Sequence, residues 1–153
     1  MRISQAGLAM FKRLGPGSVV EYLTQWNDNW QMFSLLGGHR EPDESFRQCC
    51  VREVAEELEL TPDIDFRVGI EPLQSLREYT AMSKAAGVET RYRVELFAVE
   101  LLNRDAVAKV DANVANRWLT ETDIRRHTTK EGQPIAAQVE IVLQLFGVLA
   151  RAC

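Results

Sequence analysis

An α/β fold, with two substantial helices covering a mixed β-sheet, is what this sequence predicts, and three observations predict it. Runs of β-branched and aromatic residues are separated by Gly, Pro and Asn punctuation. One long stretch without Gly or Pro carries an apolar residue at every fourth position. A second apolar stripe at helical spacing lies near the end of the chain. Strands and helices that each bury one face pack into a layered sandwich. At 153 residues and 46% apolar, the chain is long enough for a sizeable core and too short for two ordinary domains. Residues 1–153 are therefore expected to form one domain.

Residues 3–12 mix small and apolar side chains and read as a strand, ended by Gly15-Pro16-Gly17. Segments 19–25 and 30–35 flank Asn27-Asp28-Asn29, whose turn chemistry predicts a hairpin. After Gly37-Gly38 and Pro42-Asp43, residues 44–60 read as one amphipathic helix, with Phe46, Cys50, Val54 and Leu58 as its apolar stripe and Pro62 beyond its end. Residues 66–76 and 92–102 are expected to be strands, the second alternating Tyr92, Val94 and Leu96 against Arg93 and Glu95. Between them, residues 77–91 read as a long polar loop, either mobile or ligand-facing. Trp118-Leu119 is a last short strand, Thr120 caps a short helix through Arg126, and Pro134 opens a terminal helix. The stripe of that helix is Ile135, Val139, Val142, Leu143 and Phe146.

With 18 basic and 22 acidic side chains, the formal net charge is −4, and no run of Lys or Arg stands out. That argues against a protein held on nucleic acid by charge. The longest apolar stretch, residues 141–150, is broken by Gln144 and falls short of the roughly 18 residues of a membrane span. The start of the chain has no apolar core of signal-peptide length. Adjacent Cys49 and Cys50, with a third cysteine at the end, make neither a disulfide framework nor a metal knuckle. A reducing cytoplasm is the expected setting.

The chemistry lies in the predicted first helix. Glu53, Glu56 and Glu57 stand at i, i+3 and i+4 and so share one helix face. Alone they repel and raise one another's pKa; a divalent cation reverses the sign, and flexible carboxylate oxygens suit Mg²⁺ or Mn²⁺. A Glu-rich helix can also be a mere solvated face. The flanks favour the functional reading: Arg52 can orient a carboxylate through its fork of donors, Glu44 lies just ahead, and Gly37-Gly38 permits close backbone approach.

The segment from Gly38 to Leu60 resembles the Nudix box, G-x5-E-x7-R-E-U-x-E-E-x-G-U with U apolar. Gly38, Glu44, Arg52, Glu53, Val54, Glu56, Glu57 and Leu60 all match. Ala6 to Phe11 resembles the first strand of that family, Trp30 with Leu35-Leu36-Gly37-Gly38-His39 its approach to the box, and Trp118-Leu119 its late strand. The sequence departs at three places: Glu59 replaces the second box glycine, Leu36 a common Pro and Asp43 a common Gly. Because a non-glycine residue resists the left-handed conformation by roughly 1 kcal/mol, the helix is expected to run on to Thr61-Pro62.

The resemblance implies a Nudix-type α/β/α sandwich and a Mg²⁺- or Mn²⁺-dependent hydrolase of a diphosphate linked to another moiety, often a nucleoside. It gives Glu53, Glu56 and Glu57 as metal ligands, joined by the Gly37 carbonyl, with Arg52 and Glu44 holding the carboxylates. Glu53 is one candidate for the base that takes the proton of the attacking water. Bases outside the box also occur in the family, and Glu89, Glu95, Glu100 and Glu121 are the local candidates. Gly38, Arg77, Tyr79 and Arg91 are candidate substrate-binding residues, with Lys84, Arg93, Trp26, Trp30 and Tyr92 as further phosphate or ring contacts. His39 is a candidate phosphate or metal contact, with His127 less supported.

The implied partner is a small phosphorylated, nucleotide-derived molecule, with no membrane and no nucleic acid. Many family members are homodimers, which leaves a homodimer open here. The competing function is a Nudix-like module that senses a nucleotide or sugar without turnover, whose usual sign, loss of box carboxylates, is absent. An RNA-end hydrolase would need a basic surface for the strand.

Overall fold

The structure is a computed structural model describing residues 1–83 and 87–151. Lys84 and Cys153 lie outside the described residues. The chain enters as β1 (Arg2–Met10) and β2 (Lys12–Leu14), then forms the hairpin β3 (Val20–Asn27) and β4 (Met32–Ser34) and the short β5 (Gly37–His39). Helix α1 (Phe46–Leu58) follows, then β6 (Phe66–Val68), β7 (Arg77–Met82), β8 (Glu89–Leu101), α2 (Arg104–Ala112), β9 (Asn116–Thr120), α3 (Glu121–Arg126) and α4 (Ala137–Leu145). No helix among the described residues is long and apolar enough to cross a membrane.

The larger sheet is mixed. β1 and β8 run parallel from Arg2↔Thr90 to Met10↔Ala98, β5 is antiparallel to β1, and β7 and β6 pair with opposite ends of β8. The smaller sheet has β3 flanked by β2, β4 and β9, all antiparallel. Period-two alternation sorts the side chains of the larger sheet. Ala6, Leu8, Val94 and Leu96 pack against the smaller sheet and Val139, Val142 and Leu143 of α4. Ala9, Phe97 and Val99 pack against Cys50, Val54 and Leu58 of α1 and Val110 of α2. Burial on both faces of one mixed sheet is the α/β sandwich expected.

Helix α1 starts where its sequence provides a cap. The Ser45 hydroxyl accepts the Gln48 N–H, and the Gln48 side chain accepts the Ser45 N–H, a capping box that satisfies two otherwise orphaned donors. Its end corrects the expectation of a helix running to Thr61-Pro62. The helix stops at Leu58, and Glu59 takes the left-handed conformation (φ 55°, ψ 46°) in spite of its side chain. Lys109 Nζ donates to the Glu59 carbonyl at 2.7 Å, helping to hold the strained residue. Glu59→Gly is therefore expected to stabilise the protein by about 1 kcal/mol, raising Tm by about 2–4 °C in a thermal melt.

Other boundaries moved for identifiable reasons. Residues 77–91 are not one long loop: β7 pairs with β8 from Arg77↔Val94 to Met82↔Glu89. Of residues 66–76, only Phe66–Val68 is strand; Gly69 and Leu73 still donate to Ala98 and Leu96 carbonyls, but Pro72 has no N–H to continue the ladder. The terminal helix begins at Ala137 and not at Pro134, because the Pro134 carbonyl and the Ala136 N–H are bonded to Phe33 of β4. Helix α2 was not expected; Asn103 caps it by accepting the Ala106 N–H. Thr120 caps α3 as expected, in a second capping box with Asp123.

Candidate active site

Two facing glycines seat α1 on the sheet. Gly7 of β1 is paired with Gly38 of β5. A Cβ at Gly7 would stand 2.3 Å from the Phe46 carbonyl oxygen and 3.1 Å from the Cys50 nitrogen, and one at Gly38 only 2.6 Å from the Glu53 carboxyl carbon. The missing side chains let the helix approach this closely and bring Glu53 over the backbone of β5. Cys49 and Cys50 are buried beneath it, their thiols donating to Gly38 O at 3.2 Å and Leu8 O at 3.6 Å. Burial pushes Cys49 up to about 11 and Cys50 upward as well, so neither is an activated nucleophile.

Arg52 organises the acidic side chains. Its Nε and Nη2 donate to the two oxygens of Glu44 at 3.0 and 2.7 Å, a bidentate pair. Nη1 donates to Glu53 Oε1 at 2.9 Å and lies 3.7 Å from Glu56, while Nη2 also reaches the His39 carbonyl at 3.2 Å. The Arg52 hydrogen bonds, followed by the Glu41 N–H, hold the Glu44 carboxyl down at about 2. Arg40 supports the same turn from outside, donating to the Glu44 carbonyl at 2.7 Å and to Gln5.

Glu57 is in the opposite electrostatic state. Burial pushes its carboxyl up to about 8, with Glu53 and Glu56 adding repulsion and the Gly37 N–H opposing the rise. That N–H donates to Glu57 Oε1 at 2.8 Å. Gln25 of β3 bonds both the Glu57 carbonyl and Asn116, each at 2.9 Å, tying the end of α1 to the smaller sheet.

No group of three acidic, His or Cys side chains among the described residues converges into a preformed cage. The chemistry of the side chains nevertheless suits a divalent cation: Glu53, Glu56 and Glu57 offer carboxylate oxygens on one helix, and the repulsion that adds to the effect of burial on Glu57 is what a cation would relieve.

A cavity of about 360 Å³ runs from Glu53, Gly37 and Gly38 along the larger sheet to Trp30, Tyr79 and Tyr92. Of the expected substrate contacts, Gly38 and Tyr79 line it, and so do Trp30, Tyr92 and His39; His39 Nδ1 lies 2.9 Å from the buried Ser4 hydroxyl. Arg77 and Arg91 do not line it. Arg77 is spent on Ser75 and Gln74, whereas Arg91 and Arg93 project from the other face of the sheet toward Glu78. Trp26 packs edge-on against Phe33, and His127 is bonded to Glu140.

None of the four carboxylates outside the box reaches the cavity. Glu100 pairs with Arg67 and Glu121 with Arg125. Glu89 is exposed. Glu95 lies in register with Gly7, on the α1 face, where burial and Glu71 raise its pKa. The carboxylate that sequence reasoning missed is Glu41, which lines the cavity with Glu53. Arg2, Ser4, Asn27 and Gln138 were missed too; for Ser4, its alternation with Ala6 and Leu8 was the available signal.

Solved structures share this fold. C. elegans Ap4A hydrolase superposes with a TM-score of 0.60 at 19% identity, covering 95% of this chain and 97% of that one. A NUDIX hydrolase from Nitrosomonas europaea gives 0.58 at 20% identity over 96% and 90%. Shewanella oneidensis NrtR complexed with a 27mer DNA gives 0.61 at 16% identity, covering 92% of this chain and 59% of that one. A comparison with curated proteins gives no match. The family model for the NUDIX domain matches residues 12–139, most of the chain, and the protein belongs to that family.

Proposed function

We propose that the protein is a divalent-metal-dependent hydrolase that cleaves the diphosphate bond of a nucleoside diphosphate linked to another moiety. The observation that carries this reading is the Arg52 knot: one guanidinium fixes Glu44 and the cavity-lining Glu53, with Glu56 3.7 Å away, on the helix that also carries the half-buried Glu57. Glu53, Glu56 and Glu57, with the Gly37 carbonyl, would hold Mg²⁺ or Mn²⁺, which when bound supplies charge neutralisation for the diphosphate and acidity for a water. Glu53 lines the cavity, where its carboxylate would take a proton from the water whose oxygen attacks phosphorus. The anhydride P–O bond breaks, and the departing phosphate carries away the electron pair. Arg52, donating to Glu53 Oε1 at 2.9 Å, keeps that carboxylate oriented for this role. The Ap4A hydrolase and NUDIX hydrolase likenesses support the reaction class.

The test is turnover on a panel of nucleoside triphosphates, ADP-ribose, nucleotide sugars and dinucleoside polyphosphates with Mg²⁺ or Mn²⁺, read as released phosphate with and without phosphatase. Turnover abolished by EDTA is expected. Arg52→Lys keeps the charge and loses the fork; it is expected to lower kcat by about 10–100-fold, the usual cost of losing a residue that orients ligands. Ligand binding with no turnover on any compound would instead favour the sensing module.

A further inference from the structure

Glu57 stands on the last turn of α1, one residue before its end at Leu58. The last carbonyls of a helix have no intrahelical donor, and end turns fray. A metal ligand placed there needs its main chain held from outside. The Glu59 and Leu60 N–H groups both close on the Ala55 carbonyl, and the Glu57 carbonyl goes to Gln25 of β3, whose Nε2 donates to it at 2.9 Å.

Gln25 is itself fixed. The same Nε2 donates to Asn116 Oδ1 at 2.9 Å, and Asn116 Nδ2 donates to the Val110 carbonyl at 3.0 Å. Main-chain carbonyls only accept, so both amides are oriented: one NH₂ faces Glu57 at one end of this relay and the other faces Val110 at the opposite end. Gln25 is also paired with Asn116 of β9 on one side and with Ser34 of β4 on the other, and a side chain rooted in a strand bonded along both edges cannot follow a fraying helix end. The Glu57 carboxylate is held separately, by the Gly37 N–H of β5 at 2.8 Å. The two sheets thus meet on one residue, the larger holding its side chain and the smaller its main chain.

Resting on the metal-dependent hydrolase reading, we infer that Gln25 is a positioning residue for the divalent cation. It does not line the cavity; it acts through the Glu57 main chain, keeping the last turn of α1 wound so that the Glu57 carboxylate stays on the face shared with Glu53 and Glu56. Loss of a partner that orients a metal ligand lowers metal affinity by about 10–100-fold, and Gln25, one main-chain step from the carboxylate, belongs at the lower end of that range.

The test is Mn²⁺ binding to the intact protein without substrate, followed as loss of the free-ion signal in electron paramagnetic resonance. Gln25→Met keeps the length of the side chain and removes its donor, and the Mn²⁺ Kd is expected to rise by about tenfold. Asn116→Ala leaves Gln25 its bond to Glu57 and frees the other end of the relay, so a smaller rise is expected. Thr120→Ala removes the capping box of α3 and lowers stability without touching the relay; its Kd is expected to equal the parent's. A Kd unchanged in Gln25→Met, or in Asn116→Ala should Gln25→Met not fold, overturns the inference and leaves the hydrolase reading standing. A rise of the same size in Thr120→Ala overturns it too, because lost stability would then account for the effect. No Mn²⁺ bound by the unaltered protein at millimolar metal overturns the metal-dependent reading and takes the inference with it.

Discussion

Glu57→Gln is expected to reduce turnover by about 1,000-fold and, in the same molecule, to raise the stability of the metal-free protein at pH 8. The first effect follows from removing a ligand charge: roughly 4 kcal/mol of transition-state stabilisation corresponds to that factor. The second follows from linkage. Burial raises the Glu57 carboxyl from its ordinary 4.5 to about 8, so between these values the unfolded chain has released a proton that the folded chain retains. Stability therefore falls as pH rises from about 4.5 to about 8 and is level beyond. Glutamine is neutral throughout, and its amide oxygen still accepts the Gly37 N–H, so the variant has no such slope. Melts in EDTA at pH 5 and pH 8 should show the variant matching the parent at the lower pH and exceeding it by a few degrees at the higher. Unchanged kcat in Mg²⁺ would remove Glu57 from the chemistry, and parallel melting curves would show that its burial carries no penalty.

Gly7→Ala should cost the protein several kcal/mol of stability through a single added methyl. The new Cβ would meet the Phe46 carbonyl oxygen at 2.3 Å and the Cys50 nitrogen at 3.1 Å. Both are backbone atoms of α1, and no rotamer change can clear them. The helix must lift, at a cost of about 3 kcal/mol or more, equivalent to a fall in Tm of about 6–12 °C. Lifting α1 also draws Glu53 and Glu57 away from Gly38 and Gly37, so kcat should fall with stability. Gly69→Ala is the control. Its nearest neighbour would be the Ala98 carbonyl oxygen at 3.4 Å, an ordinary contact, and its effect should stay within about 0.5 kcal/mol. Equal melting temperatures for the two variants would refute the close-approach argument.

Elements that bury a regular apolar stripe were legible in the sequence: α1 through Phe46, Cys50, Val54 and Leu58, and β8 through its alternation. The acidic face of α1 and its arginine were legible for the same reason, since helical spacing alone places Glu53, Glu56 and Glu57 together. Strand β7 was not, because its alternating exposure comes from pairing with β8, while its composition is that of a polar loop. Helix α2 buries only Ala106 and Val110, too short a stripe to show a period, although Asn103 followed by Asp105 was a usable start signal. The Glu59 cap defeats propensity because tertiary contacts fix the chain on both sides of it. The cavity was the least legible part. Arg2, Trp30, Tyr79 and Gln138 come from four separate parts of the chain, two strands, a turn and helix α4, and only the tertiary fold brings them to one wall.

The parallel pairing of β1 with β8 has a consequence for how the molecule is made. Strand Arg2–Met10 has its central partner at Thr90–Ala98, so one of its edges stays open until β8 has been made. What it can join early is β5 and α1, a local unit that already contains Gly7, Gly38 and the acidic helix face. Non-local parallel pairing is slow because chain entropy is lost before contacts repay it. The nascent chain thus carries an unpaired apolar strand edge through a long window. Conditions that stall translation between α1 and β8 should make this protein a client of chaperones that shield such edges.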